Sequence, residues 1–322
     1  MTKIAVHNGA FHADDSLAAY LLLNTKEFAD SEIIRTRDPD VINECDVVAD
    51  VGGIYDRLLQ RYDHHQTTFS DTFPGSSIPM SSCGLVYYHY GEEVIQNLCK
   101  KLNLTIEEED IDFTYKYLYF HFVQEIDAQD NGINPSQEKP SYTVSSDITH
   151  RISRLNPHWK IENPDYDAAF QEAIKLIGND FEFFLTYTIK YSISNYKIAK
   201  DAYENRFDFD PSGLLLNLPK YFPVEDFLDI LENKEKKVLY CIYGRIDENK
   251  NKSWAVRTIN TDKPFESRKP LPFPGVNSQE MEEKTGIEGL IFAHKNPFLA
   301  VFKTKEQALQ YAKFAANYNP TI

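Results

Sequence analysis

The chain has 322 residues, 42% of them apolar, with 20 Tyr and 21 Phe. That is material for two domains with sizeable cores, and it excludes disordered and collagen-like classes. Its formal charge of −15 argues against non-specific wrapping of duplex nucleic acid, which draws on a basic surface.

The opening MTKIAVHNGA runs straight into a strand over residues 3–7, with no signal or transit pattern. Nor is there an apolar span long enough for a membrane, so a soluble cytoplasmic protein is expected, with nuclear entry left open. The four cysteines, Cys45, Cys83, Cys99 and Cys241, show no CxxC spacing, which fits reduced thiols rather than a zinc ribbon. After the turn NGAFHA, the segment DSLAAYLLL places Leu17, Ala18, Leu21 and Leu22 on one helical face. Asp14 or Asp15 would stand at the start of that helix, where a carboxylate is favoured. Strands EIIRT and DVVAD follow, the second ending at Asp50 before VGG. Strand, helix, strand, strand with short links predicts a mostly parallel sheet flanked by helices.

A polar loop covers 66–80, and a helix is expected from SSCG to about Lys101. Another runs from about Glu108 to Asp127 and stops at DNG; further helical pattern fills 164–203. The turn DFDPSG at 208–213 marks a change of character. Beyond it come strands VLYCIYGRI, SWAVRTI and GLIFAH and a last helix from Lys305. The expected division is residues 1–204 and a smaller α/β domain, 205–322.

Metal-compatible side chains gather at the predicted strand ends: His7, His12, Asp14, Asp50 and the run Asp63-His64-His65. Ligands bind beyond the carboxyl ends of strands in parallel α/β sheets, and mixed imidazole and carboxylate suits transition metals. Taken singly, each has an ordinary explanation: a strand end, a helix cap, a turn, a polar loop. Together they converge on one rim of one sheet.

HNGAFHADDSLA, VVADVGGIYD, RYDHHQTTF, SSCGLVYYHYG and EIDAQDNG resemble the MYG1 family, whose amino-terminal half is similar to the DHH phosphoesterase superfamily. Later pieces that resemble it are RISRLNPHW, DPSG, SRKPLP and IFAH. The resemblance implies two divalent ions, manganese the expected metal, that activate water for phosphodiester hydrolysis. It implies one ion on His7, His12, Asp50 and Asp127, and another on Asp14, Asp50, His64 and Asp127, with Asp130 as the alternative to Asp127. His12 replaces the first aspartate of the usual D-x-D pair. The resemblance assigns catalysis to Asp50, His64 and His65, with His64 on a metal and His65 nearer substrate. Ser82 in SSCG would meet the substrate phosphate if that segment opens a helix. Arg154, with Arg151 beside it, is a further candidate, and Arg268 and His294 match substrate-binding positions of the second domain. Two departures stand out: FPGVNSQ replaces a tryptophan-arginine-glycine segment, and KNPFLAV replaces a glycine-rich turn.

The implied activity is 3′-to-5′ exonuclease action on single-stranded RNA or a short oligonucleotide, with no membrane partner. Two other expectations stand beside it, a phosphoesterase acting on pyrophosphate or a short oligonucleotide, and a metal-binding protein without turnover. Oligomeric state is not legible in the sequence.

Overall fold

A computed structural model describes residues 1–136, 141–232, 237–261, 263 and 265–319, the side chain of residue 229 excepted. The chain divides into two compact units, Met1–Ile193 and Ser194–Ile322.

The first unit is a five-stranded sheet in the order β2-β1-β3-β5-β4. Its strands are β1 (Lys3–Val6), β2 (Glu32–Arg35), β3 (Val47–Ala49), β4 (Tyr55–Asp56) and β5 (Arg61–Tyr62). All pairings are parallel except β4 with β5, a hairpin at the edge. Central β3 is wholly buried, as a strand covered on both faces must be, and VVA supplies nothing polar. The helices are α1 (Ala13–Leu23), α2 (Pro39–Asn43), α3 (Ser82–Lys101), α4 (Glu108–Leu118), α5 (Gln124–Asp130), α6 (Ile148–Ser153) and α7 (Tyr166–Tyr187). A π-helical turn, Tyr119–Val123, joins α4 to α5. Ten of the eleven residues of α1 are buried, so it is a central helix rather than a surface one. It packs against α3 and α7, and Gly178 of α7 makes room for the Tyr20 ring, which any Cβ there would strike.

The strand order places the site. From β1 the chain moves to β2 on one side, then crosses to β3 on the other. The crevice between the carboxyl ends of β1 and β3 is therefore a topological switch point, where open α/β sheets bind ligands. His7 follows β1 directly, and Asp50 follows β3.

The second unit begins with α8 (Ile193–Glu204), whereas the turn at 208–213 would have placed the division after that helix. Its sheet has the order β6-β7-β8-β10-β9. Here β6 is Leu215–Leu218, β7 Tyr240–Ile246, β8 Lys252–Thr258, β9 Leu290–Ala293 and β10 Leu299–Phe302. Only β6 with β7 is parallel; the other pairs are antiparallel. The helix Lys305–Asn317 buries Ala308, Tyr311, Ala312 and Ala315 in a core with Tyr240, Ile242, Val256 and Phe302. The protein is thus α/β with two mixed five-stranded sheets flanked by helices. No helix among the described residues is long and apolar enough to cross a membrane.

Candidate metal centre

Asp50 sits at φ 56°, in the left-handed region, on the turn where β3 ends. Aspartate tolerates that conformation better than most side chains, and such strain concentrates at functional sites. Gly52 at φ 94° and Gly53 at φ 68° continue the turn. Asp63 Oδ2 then accepts the Gly53 amide at 2.6 Å, which clamps the turn to the end of β5.

The turn aims the two oxygens of Asp50 in different directions. Oδ2 lies 3.3 Å from His7 Nε2. Oδ1 lies 3.9 Å from His64 Nε2 and 3.6 Å from His65 Nδ1. Beyond His64, Asp130 Oδ2 is 3.0 Å and Asp14 Oδ2 3.8 Å from Nε2. Three groupings result among the described residues, His7/His12/Asp50, Asp50/His64/His65 and Asp14/His64/Asp130, each with its ligand atoms within 4.8 Å of one another. Asp50 belongs to two of them, and His64 links two.

Asp50 Oδ1, His64 Nε2 and Asp15 Oδ2 are buried and make no aligned hydrogen bond among the described residues. Leaving such groups unpaired is costly unless something outside the chain completes them. Burial, then the charges of Asp14, Asp130 and Asp63, pushes Asp50 well above the usual carboxylate range. Burial and Asp130 likewise raise Asp14. Burial alone would lower His64, but contact with Asp130 and the charges of Asp14, Asp130 and Asp50 outweigh it and raise His64 to about 9. So many crowded carboxylates call for added positive charge, and these donors fit a divalent transition metal.

Asp127, expected from the resemblance as the fourth-motif ligand, is placed elsewhere. It is fully buried, and both its oxygens are taken. Oδ1 accepts the Ser81 amide at 2.9 Å and its hydroxyl at 2.8 Å, while Oδ2 accepts the Tyr119 hydroxyl at 2.8 Å. Gly84 makes this possible, because a Cβ there would collide with the carboxylate. Asp130, one helical turn further on α5, is the residue facing His64.

Ser82 is buried and does not line the cavity. Helix α3 does open at SSCG, and its first amides do attract anions. The anions are internal: Asp14 accepts Cys83 N at 2.5 Å and Ser82 N at 3.2 Å. Those amides orient a carboxylate of the Asp14/His64/Asp130 grouping and are already occupied. Arg154 donates to Ser145 O at 2.5 Å and does not line the site cavity. The Arg268 side chain is buried against Glu232 at 2.7 Å and Val238 O at 3.0 Å, an ion pair within the second unit. His294 accepts the Asn296 amide at 2.9 Å through Nδ1, and its ring packs 4.5 Å from Phe298 in a turn of that unit.

Three further residues belong to the site's surroundings. Asp15 is wholly buried, accepts the His12 amide at 2.8 Å and stands 3.2 Å from His7 Nε2, so it positions both histidines. Burial, partly offset by His7, pushes it up to about 8. Arg37, just past the end of β2, and Thr149 of α6 line the site cavity of about 630 Å³, together with His7, Asp14, Asp50 and Asp130. The rule that singles out His7 and Asp50 applies equally to Arg37; no spacing signals Thr149.

The model of the family described as "Uncharacterised protein family (UPF0160)", the MYG1 exonuclease model, matches residues 3–316. The chain belongs to the MYG1 family. Relatives within it include a MYG1 exonuclease of Mus musculus, 35% identical across 99% of this chain and 86% of the mouse protein. The MYG1 protein C694.04c of Schizosaccharomyces pombe is 36% identical across 99% of this chain and 98% of its own length. A MYG1 protein of Dictyostelium discoideum is 37% identical over 98% and 97%. MYG1 membership thus extends through both units rather than resting on the Asp63-His64-His65 triplet alone.

Proposed function

We propose that this chain is a metal-dependent phosphodiesterase, an exonuclease that removes nucleotides from the 3′ end of single-stranded RNA. The observation that carries the proposal is the Asp50 carboxylate, whose two oxygens face two different ligand sets. A carboxylate so placed suits two ions about 3.5–4 Å apart, the spacing of two-metal phosphoester cleavage. The nuclease part draws support from relatives named exonucleases, such as the mouse and human proteins.

His7, His12 and Asp50 would hold one ion, and Asp14, Asp50, His64 and Asp130 the other, with manganese the expected metal. When bound, such ions offset charge on phosphoryl oxygens and acidify water. The α3 amides fix Asp14, and Asp15 fixes His7. Asp63 holds His65 Nδ1 at 2.7 Å, which leaves the other ring nitrogen of this exposed side chain to address a non-bridging phosphate oxygen.

A second reading, hydrolysis of a dinucleotide or pyrophosphate, is favoured by the cavity of about 630 Å³, in the range that encloses a small molecule. One experiment separates the readings. RNA labelled at either end, a dinucleotide and pyrophosphate are each incubated with manganese and with chelator. Manganese-dependent mononucleotide release from the 3′ end is the expected result. Turnover of the dinucleotide or pyrophosphate alone would replace the first reading with the second. No turnover of any substrate by metal-loaded protein would leave a non-catalytic metal binder.

A further inference from the structure

The residues lining the cavity supply four carboxylates, Asp14, Asp50, Asp63 and Asp130, but one permanent cation, Arg37. A phosphodiester entering there meets repulsion that metal ions alone must overcome, unless a fixed positive group receives it.

Other arginines near this rim are already committed. Arg35 donates to Gly9 O at 2.6 Å, approaches Asp167 at 3.3 Å and lies over the Phe170 ring at 4.8 Å. Arg151 pairs with Asp180 at 2.5 Å. Arg37, by contrast, makes no hydrogen bond, ion pair or ring contact among the described residues. Had it served to balance the buried carboxylates, it would be paired with one of them. Its backbone is nevertheless held on both sides. Thr36 N donates to Val6 O at 2.8 Å, continuing the β1–β2 ladder. Asp38 N donates to Thr36 Oγ1 at 3.0 Å, and the Asp38 side chain caps α2 through Asp40 N at 2.9 Å. The Arg37 side chain is thus exposed on a fixed base at a strand end. Thr149 lines the same cavity, and its buried hydroxyl has no hydrogen-bond partner among the described residues.

We propose that Arg37 is the phosphate anchor of this site, gripping non-bridging oxygens of the substrate phosphate through its guanidinium fork, with the Thr149 hydroxyl as a second donor. The planar fork matches two phosphate oxygens at once, which a lysine cannot do. The inference rests on the phosphoesterase reading for its substrate, and the test therefore includes a binding measurement that needs no turnover.

Full-length wild type, Arg37→Ala and Arg37→Lys are loaded with manganese. Metal content, calorimetric affinity for adenosine 5′-monophosphate and kcat/KM on labelled RNA are then measured. Arg37→Ala should keep its metal and its melting temperature, bind the nucleotide about tenfold more weakly, and lose about 10²-fold in kcat/KM. Arg37→Lys should recover only part of both losses. Millimolar guanidinium ion should speed Arg37→Ala and leave wild type unchanged, a response that a merely structural residue would not give. Thr149→Val should weaken nucleotide binding by a few fold. Nucleotide affinity and rate equal to wild type in Arg37→Ala would overturn the proposal. So would metal loss in proportion to activity, which would make Arg37 part of the metal scaffold. If wild type cleaves nothing yet Arg37→Ala still weakens nucleotide binding, the phosphate anchor stands and the hydrolase reading falls.

Discussion

The two five-stranded sheets treat buried charge in opposite ways. At the carboxyl ends of the first, Asp14, Asp50 and Asp130 crowd around His64, and like charge faces like. In the second unit, buried Arg268 meets buried Glu232 at 2.7 Å, and that charge is cancelled within the fold. Both arrangements are costly to build from desolvated ions. The second recovers its cost from its own partner and contributes to holding the unit together. The first has groups that could hold a metal ion, and a bound cation would balance it. Whether buried charge is balanced internally is therefore the physical difference between the candidate metal cluster and this ion pair.

Disturbing the unbalanced cluster should give the largest effect. Asp50→Asn keeps the side-chain shape and removes the charge shared by both ligand sets, so RNA hydrolysis should fall by about 10³-fold or more, with a lower manganese content. Wild-type turnover with full metal content in that variant would take Asp50 out of the centre of the site. The balanced pair should respond in stability instead. Arg268→Ala strands the Glu232 carboxylate, and denaturant unfolding should report a loss of about 3–5 kcal/mol, with manganese still bound by the first unit. Unchanged stability with a raised KM would return Arg268 to the substrate-binding role that the family resemblance implies.

Finer divisions lie inside the first cluster. His64→Ala should lower metal occupancy. His65→Ala should retain metal and slow single-turnover cleavage by about 10²-fold, because its loss removes charge stabilisation rather than a ligand. The reverse pattern in metal counting would exchange the two roles. The smallest contrast is between two aspartates on α5. Asp130→Asn should deplete manganese and leave thermal stability intact. Asp127→Asn disturbs the Ser81 and Tyr119 hydrogen bonds and should cost about 1–3 kcal/mol of stability, with metal bound. Equal metal loss in both would make Asp127 part of the coordination shell after all.

Much was legible before any coordinates, because it depends on local pattern. Alternation and apolar runs mark β1, α1, β3 and α3 to within a few residues, and the switch-point rule then ties His7 and Asp50 to one crevice. Family blocks extend that reading to Asp14 and His64 and through the second unit. Choices between neighbours were not legible. Asp127 and Asp130 stand one turn apart on the same helix, so spacing alone cannot say which carboxylate faces the cavity. The Ser81 amide, the Tyr119 hydroxyl and the space left by Gly84 decide it, and all three come from other segments. The same holds for Ser82, whose amide is claimed by Asp14 from a distant helix, and for Arg268, whose charge is cancelled by Glu232. A sequence records which groups can carry charge or donate a hydrogen bond; only the packed chain decides which of them still lack a partner, since that depends on contacts between residues far apart along it.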